Sequence, residues 1–483
     1  MNEEESSPVK LDEPSLKKAA QVWPQLKVLQ KPLTSMYHTL PSQASNTRSN
    51  MTLVEYQPSL QLCFLRTYPK PGPMIVEKAR AQAAADTDLL TGLDHPHVIK
   101  CLEVLEDKKN FYVVTEALVG NEVLDFLSNR VSVTESLACR VLGQVLLGLA
   151  YTHAQGVPHL CLHPNLLLFK SAPKDEVLHL KIAGFEESRG FRTKGRGVVP
   201  YTAPEIYGGR AEVKSDVWSC GMLLYRMLAG ETAISSTEYA SVLTKSTTWC
   251  PGFREASWVT RSPEVKALVS SMLAWNWSAR PKVTDCLQHV WMENNRPPLL
   301  LTSKGARSCL ARLTAFNSKR PLRDALKVAL LSRVSSEMPL LICVFTALDK
   351  DCDGLLGSAD LSEGLKGIIP LDQVETEVTR LLSCMDKSNS RRGISYNDFL
   401  IATSSDKLLL SQESLLKTFT SLDREKRRKL SLESLVHLFE RSAEEERGKL
   451  WGELARQARR ETGEELDFQD FTKVLARAVT GTV

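Results

Sequence analysis

The sequence predicts an α+β domain, with a small strand-rich part and a larger helical part, followed by an all-α domain of helix–loop–helix units. Three observations carry this. Short apolar runs between residues 50 and 118 (MTLVEY, LQLCFLRTY and FYVVTEAL) have strand length and are rich in β-branched and aromatic residues. From about residue 132 the apolar period turns helical, as in SLACRVLGQVLLGLAYTHA and DVWSCGMLLYRMLAG, and stays so to Trp291. Beyond Glu337 a helix–loop–helix pattern recurs about four times.

Composition bounds the function classes. The 483 residues are 43% hydrophobic and 24% charged, as in soluble globular proteins, and predict more than one core. Lys and Arg number 61 against 57 Asp and Glu, and a formal charge of +4 gives no case for nucleic-acid or membrane-surface binding. No apolar run approaches the ~18 residues that span a bilayer. The start, MNEEESSPVK, has no signal segment, and Asn2 stands where myristoylation needs glycine, so no membrane anchor is expected. Eleven cysteines lie scattered with no CxxC pair, which fits reduced thiols and a cytoplasmic location.

The elements follow in order. Residues 1–36 are polar, rich in charge, Pro and Ser, and read as a loose arm. Strands follow, interrupted by one helical stretch from Val76 to Leu93. The first glycine of the chain is Gly72, although 25 are present. The α+β domain covers 37–292, and Arg296-Pro297-Pro298 punctuates its end. Residues 293–336 form a junction in which Leu310, Leu313, Phe316, Leu322, Leu326 and Leu330 interleave with Arg307, Arg312, Lys319, Arg320, Arg323 and Lys327. Such a helix suits the groove of a calmodulin-like domain; it suits equally an ordinary surface helix with a solvated basic face. Residues 337–483 form the four-hand domain.

The most specific motif is LDKDCDGLLGSADL. Asp349, Asp351 and Asp353 stand at positions 1, 3 and 5 of an EF-hand loop, Gly354 at the sharp turn, Leu355 offers its carbonyl at position 7, and Asp360 closes at position 12. A hard cation needs several oxygens around one point, and alternating carboxylates on a tight loop supply them. The alternative is a degenerate loop that keeps only the fold. Asp360 is shorter than the usual Glu, so lower calcium affinity or greater magnesium tolerance is expected. The other loops are expected to hold no metal. The second, from Asp386, has one residue too many before Ile394 and Asp398; the third, from Asp423, carries Arg427 and Arg428; the fourth has Arg459 at its first position.

Taken together, the chain resembles the calcium-dependent protein kinases: a two-lobed protein-kinase-like domain, a basic autoinhibitory-like junction helix and a calmodulin-like domain. The resemblance runs from about residue 37 to 483. Its anchors are LDHPHVI (93–99), FYVVTE (111–116), GNEVLDFL (120–127), YTAPEIY (201–207), SDVWSCGMLLYRMLAG (215–230), SARPKVTDCLQHVWM (278–292) and the LDKDCDG loop.

Carried over position by position, the resemblance implies a depleted catalytic apparatus. The phosphate-covering loop falls in LPSQASNTRSNMT, between Leu40 and Thr52, and has no glycine. The strand lysine is Arg66 and its helix partner Asp86, which as a pair keep an ion pair feasible. The catalytic loop reads HLCLHPNL, so the base is Cys161, the loop lysine His163 and the magnesium-binding Asn Leu166. The DFG triplet is Gly184-Phe185-Glu186, and Val198 replaces a threonine before APE. His159, Phe185, Leu90 and Leu102 retain the regulatory spine, Asp216 the catalytic-loop anchor, and Glu205 with Arg280 the pair pinning the activation segment. Phe64 takes the position of a small residue above adenine, which predicts a nucleotide cleft plugged near Phe64, Thr115 and Leu168. Glu122 aligns with a residue contacting ribose or a substrate arginine.

The function expected is that of a pseudokinase acting as a calcium-responsive regulatory or scaffold protein. It would take one weakly held calcium and neither ATP nor magnesium in the cleft. Other proteins would dock on the kinase-like lobe, and the hands would contact the junction helix. The alternative is a divergent active serine/threonine kinase, with Glu186 taking magnesium in a relocated position and Arg66 holding a phosphate.

Overall fold

The computed structural model describes residues 27–29, 32–40, 52–56, 61–70, 89–128, 130, 132–173, 178–185, 199–245, 249–253, 256–296, 303–317, 320–331, 338–366, 368–385, 393–423, 427–439 and 444–480. The chain divides into two compact units, residues 1–30, 44–52 and 64–297, and residues 31–43, 53–63 and 298–483. No described helix is long and apolar enough to cross a membrane.

The apolar runs near the N-terminus form strands. These are β1 (Lys27–Val28), β2 (Tyr37–Thr39), β3 (Thr52–Tyr56), β4 (Gln61–Pro69), β5 (Cys101–Glu106) and β6 (Asn110–Glu116), in one sheet of order β1-β5-β6-β4-β3-β2. β5 and β6 pair antiparallel across the Asp107 turn, whose carboxylate accepts from the Lys109 and Asn110 N–H groups at 2.7 Å. The helical stretch expected over Val76–Leu93 is seen at 89–92; the rest lies outside the described residues.

The larger part is helical: α1 (Val123–Ser128), α2 (Glu135–Ala154), α3 (Pro204–Tyr207), α4 (Ser215–Ala229), α5 (Ser236–Lys245), α6 (Ala256–Val259), α7 (Pro263–Met272), α8 (Val283–Leu287) and α9 (Val290–Asn295). A small ribbon of β7 (Leu167–Phe169) and β8 (Leu180–Ile182) lies between α2 and α3 in sequence. α2 begins where Thr134 Oγ1 accepts from Leu137 N–H, and it packs against α4, α8, α9 and β8. α4 is buried almost throughout and ends at Gly230, φ +87°.

In the second unit the junction is two helices rather than one, α10 (Lys304–Thr314) and α11 (Pro321–Leu331). Pro321 has no N–H to continue a helix and is suited to opening one. Every leucine of the expected apolar face is buried, together with Ala306, Cys309 and Phe316, in one core shared with the hands. α12 (Met338–Leu348), α13 (Ser358–Leu365), α14 (Leu371–Met385) and α15 (Tyr396–Thr403) form hands one and two, with α10 against α12 and α15. After α16 (Asp406–Leu409), α17 (Gln412–Leu422), the 3-10 turn Leu432–Phe439, α18 (Glu444–Thr462) and α19 (Phe468–Thr480) form hands three and four, with α11 against α19. Each pair is joined at position 8 of its loops. β9 (Leu355–Leu356) pairs β10 (Ile394–Ser395) through Leu356 and Ile394, and β11 (Leu430–Ser431) pairs β12 (Glu465–Leu466) through Leu430 and Leu466.

Polar contacts hold the junction helices. Lys327, 2% exposed, pairs with Asp406 at 2.8 Å and donates to Ile401 O, and Arg323 shares Asp406 at 3.0 Å. Arg380 on α14 donates to Thr314 O and Phe316 O at the end of α10, and Arg312 to Thr403 O.

Candidate functional site

The kinase-like cleft is built on the loop after α2. Asp216, fully buried on α4, accepts from the backbone N–H of His159 at 2.8 Å and of Leu160 at 2.6 Å, and from His153 Nε2 at 2.8 Å. Leu160 is thereby held at φ +61°, a conformation unfavourable to a leucine. His159 donates from Nε2 to Ala183 O at 2.9 Å and packs its ring on Phe185, centroids 4.6 Å apart. Leu90 is buried and Leu102 half-buried. Arg280 grips Glu205 with two bonds of 2.7 and 2.9 Å, lies over Trp218, and is completed by Ser215 Oγ on the same carboxylate. Asp216 with His159, His159 with Phe185, and Glu205 with Arg280 are therefore brought together as expected.

The positions of the chemistry hold different groups. Cys161, Leu166, Arg66, Phe64, Thr115 and Leu168 are all buried. Burial, with His159 and Arg66 nearby, pushes the His163 imidazole down to about 4, so a neutral ring stands where the resemblance places a lysine cation. Its Nδ1 is buried with no hydrogen-bond partner among the described residues. Gly184 sits at φ +93°, and a β-carbon there would lie 2.8 and 2.9 Å from the two methyl carbons of Leu166. The Leu166 side chain thus occupies the space a side chain at 184 would need. Asn165 Nδ2 donates to Glu122 Oε2 at 2.8 Å, so the retained Glu122 has an internal partner. The glycine-free loop over 41–51, Asp86, Glu186 and Val198 lie outside the described residues.

Sequence reading missed two clusters here. Glu116 pairs with Lys181 at 2.7 Å and with Lys170, and accepts from Lys100 N–H. Burial would raise its carboxyl, but the two ammonium groups hold it well below the usual range. Beside it His97 donates from Nδ1 to Leu180 O, His179 from Nε2 to Pro96 O, and His95 Nδ1 accepts from His97 N–H. Burial pushes His97 down to about 3 and His179 to about 4, and lowers His95. These partners are far apart in sequence; only the run LDHPHVI hinted at a histidine cluster.

In the second unit the loop between α12 and α13 gathers the oxygens expected of it. Ligand oxygens of Asp349, Asp351 and Asp353 lie within 4.8 Å of one another. Gly354, φ +80°, turns its N–H onto Asp349 Oδ2 at 3.1 Å. Asp349 is 3% exposed and its Oδ1 has no hydrogen-bond partner among the described residues. Burial and then Asp353 push the Asp349 carboxyl up to about 8, and burial raises Asp353 and Asp360 too. Crowded, partly buried carboxylates of this kind fit a divalent ion, which neutralises them and takes the orphaned oxygen; an all-oxygen set suits a hard cation. Leu355 is at position 7, and Asp360 accepts from two loop N–H groups.

The other loops are arranged differently. Asp423 turns both oxygens onto the backbone N–H groups of Arg427 and Arg428, at 3.0 and 2.8 Å. Arg459 pairs internally with Glu464 at 2.9 Å. Most of the second loop, 386–392, lies outside the described residues; Asp398 accepts from Ser395 Oγ.

Comparison with known proteins agrees with this layout. Residues 74–292 match the protein kinase domain. The chain is 28% identical over 411 residues to calcium-dependent protein kinase 4 of Plasmodium falciparum (isolate 3D7), covering 81% of this chain and 77% of that one. It is 28% identical over 417 residues to calcium-dependent protein kinase 4 of Plasmodium berghei (strain Anka), with the same coverage. Calcium-dependent protein kinase 3 of Plasmodium yoelii yoelii is 25% identical over 360 residues, 73% of this chain and 66% of the relative. With a protein kinase domain, junction helices and paired helix–loop–helix units in this order, the chain is similar to calcium-dependent protein kinases over most of its length.

Proposed function

We propose that this chain is a kinase-fold protein without phosphotransfer activity, acting as a calcium-responsive regulatory or scaffold protein. Its kinase-like lobe docks other proteins, and its hands hold the junction helices. The observation that carries this reading is the packing of Leu166 against Gly184. Phosphoryl transfer is almost entirely positioning and electrostatic stabilisation, with magnesium bridging the phosphates. By the resemblance these two positions are the ones that hold that magnesium. Here one is a fully buried hydrocarbon and the other a glycine with no room for a side chain. Cys161 at the base position and a neutral His163 support the same conclusion. The bonds on Asp216 and Glu205 support a rigid lobe suited to docking.

The test is a thermal-shift titration of the full chain with ATP at constant magnesium, beside an assay of phosphate transfer from labelled ATP. The expected result is no ATP-dependent shift and no transfer. Magnesium-dependent transfer that is lost in Glu186→Gln would replace this reading with that of a divergent active serine/threonine kinase.

A further inference from the structure

Three of the chain's eight tryptophans form one cluster on the kinase-like lobe, and a fourth stands beside it in sequence. Trp218 of α4 is the floor. Trp249, between α5 and α6, and Trp275, between α7 and α8, have ring centroids 5.6 and 6.0 Å from that of Trp218 and 6.4 Å from each other. Trp218 is fully buried, but Trp249, Trp275 and Trp277 are only half-buried. Large indoles gathered at a surface mark a contact site, because tryptophan is among the residues that carry most binding energy.

The patch is fastened from below. Arg280, which grips Glu205, also donates to Ala274 O at 2.8 Å, Trp275 O at 3.3 Å and Lys214 O at 3.2 Å. One buried guanidinium thus binds the 274–277 segment to the turn before α4. Lys214 Nζ adds a second tie, donating to Ser278 O at 2.9 Å. Rings fixed in advance lose little entropy when a partner arrives.

The surrounding groups restrict what that partner is. Arg280 lies over Trp218 at 5.0 Å and the exposed Arg210 over Trp277 at 5.7 Å, so ring faces that would hold a ligand cation are taken. Arg210 and Lys214 outnumber Glu212 on the turn before α4, which favours an acidic partner over a basic one. Among the described residues nothing accepts from the indole N–H groups of Trp249, Trp275 and Trp277, whereas those of Trp218, Trp291 and Trp451 donate inward. An extended proline-rich chain matches these features. Its flat rings lie on indoles, its carbonyls accept from indole N–H groups, and it needs no folding first.

We propose that the patch of Trp249, Trp275 and Trp277, with Arg210 and Lys214 at its rim, is a docking site for an acidic, proline-containing extended segment of a partner protein. The prolines pack on the indoles and the carboxylates pair with the two cations. This rests on the reading of the kinase-like lobe as a docking surface and gives that surface a place and a partner chemistry.

The test is a selection of phage-displayed random peptides on the full chain. The selected peptides are then made with a fluorescein label and titrated by anisotropy against wild type, Trp277→Ala and Arg210→Glu. Selected peptides should carry proline beside Asp or Glu, and their affinity should fall at least about tenfold in Trp277→Ala and about fivefold in Arg210→Glu. Arg210 is exposed, so its charge reversal leaves the fold intact and keeps the test decisive if Trp277→Ala unfolds. Peptides that bind both variants as tightly as wild type overturn the assignment of the patch and leave the docking reading of the lobe standing. Peptides that lose affinity in the variants but carry neither acid nor proline overturn the partner chemistry. A selection that yields no binding peptide overturns the site and the docking reading together.

Discussion

The contact between Leu166 and Gly184 invites a double-mutant cycle. A β-carbon at 184 would lie 2.8 and 2.9 Å from the Leu166 methyl carbons, at a residue with φ +93°. The left-handed backbone costs about 1–2 kcal/mol for a residue other than glycine, and the forced overpacking about 1–3 kcal/mol. Gly184→Ala should therefore cost about 2–5 kcal/mol, which in a lobe of this size lowers the melting temperature by roughly 4–20 °C. Leu166→Ala leaves a cavity and should cost about 2–5 kcal/mol. If the leucine fills the space beside 184, the new methyl of the double variant enters that cavity and only the backbone strain survives. The pair should then cost about 1–3 kcal/mol less than the sum of the single changes. Urea unfolding followed by fluorescence of the buried Trp218, Trp258 and Trp291 reads this directly. Additivity within about 0.5 kcal/mol would refute the packing argument, and with it the main support for a magnesium-free cleft.

Other expectations follow from the same contacts. Asp216→Ala removes the partner of one buried and one part-buried backbone N–H group and of His153, and should cost about 3 kcal/mol or more in thermal or urea unfolding; a loss under about 1 kcal/mol would contradict the anchoring role. His97 and His179, held near 3 and 4 in the fold, are depressed below the ordinary 6.5. Their contribution to stability is present above pH 6.5 and is lost as pH falls toward 4, so the unfolding midpoint should drop across that window and drop less in His97→Asn/His179→Gln. In the second unit, Asp406→Ala strands the buried Lys327 ammonium and should cost about 3 kcal/mol. Lys327→Met leaves Asp406 with Arg323 and should cost about 1 kcal/mol or less; hydrogen exchange of residues 321–331 should rank the two in that order.

Much of the candidate site was legible because its parts are local. The loop LDKDCDGLLGSAD carries all its ligands within twelve consecutive residues, and their positions follow from spacing. HLCLHPNL reads as a catalytic loop by the same logic, since residue identity alone says which groups are present. The apolar period found the leucines of the junction and predicted a buried face, but it did not find the break before Pro321. Periodicity continues across the gap, whereas hydrogen bonding does not. Glu116 with Lys170 and Lys181 was invisible, because nothing in a charged residue's neighbourhood announces a partner 54 or 65 positions away.

By itself the sequence determined which residues stand where: the apolar runs that become strands, most of the helical segments, and the residues at each position the resemblance points to. Tertiary structure decided what the replacements do. Leu166 and Gly184 are eighteen residues apart, and only their meeting turns two substitutions into one filled space. The reason is physical. Composition and spacing encode chemistry that acts over one turn or one loop, whereas volume exclusion and the burial of charge depend on which distant residues the fold brings together.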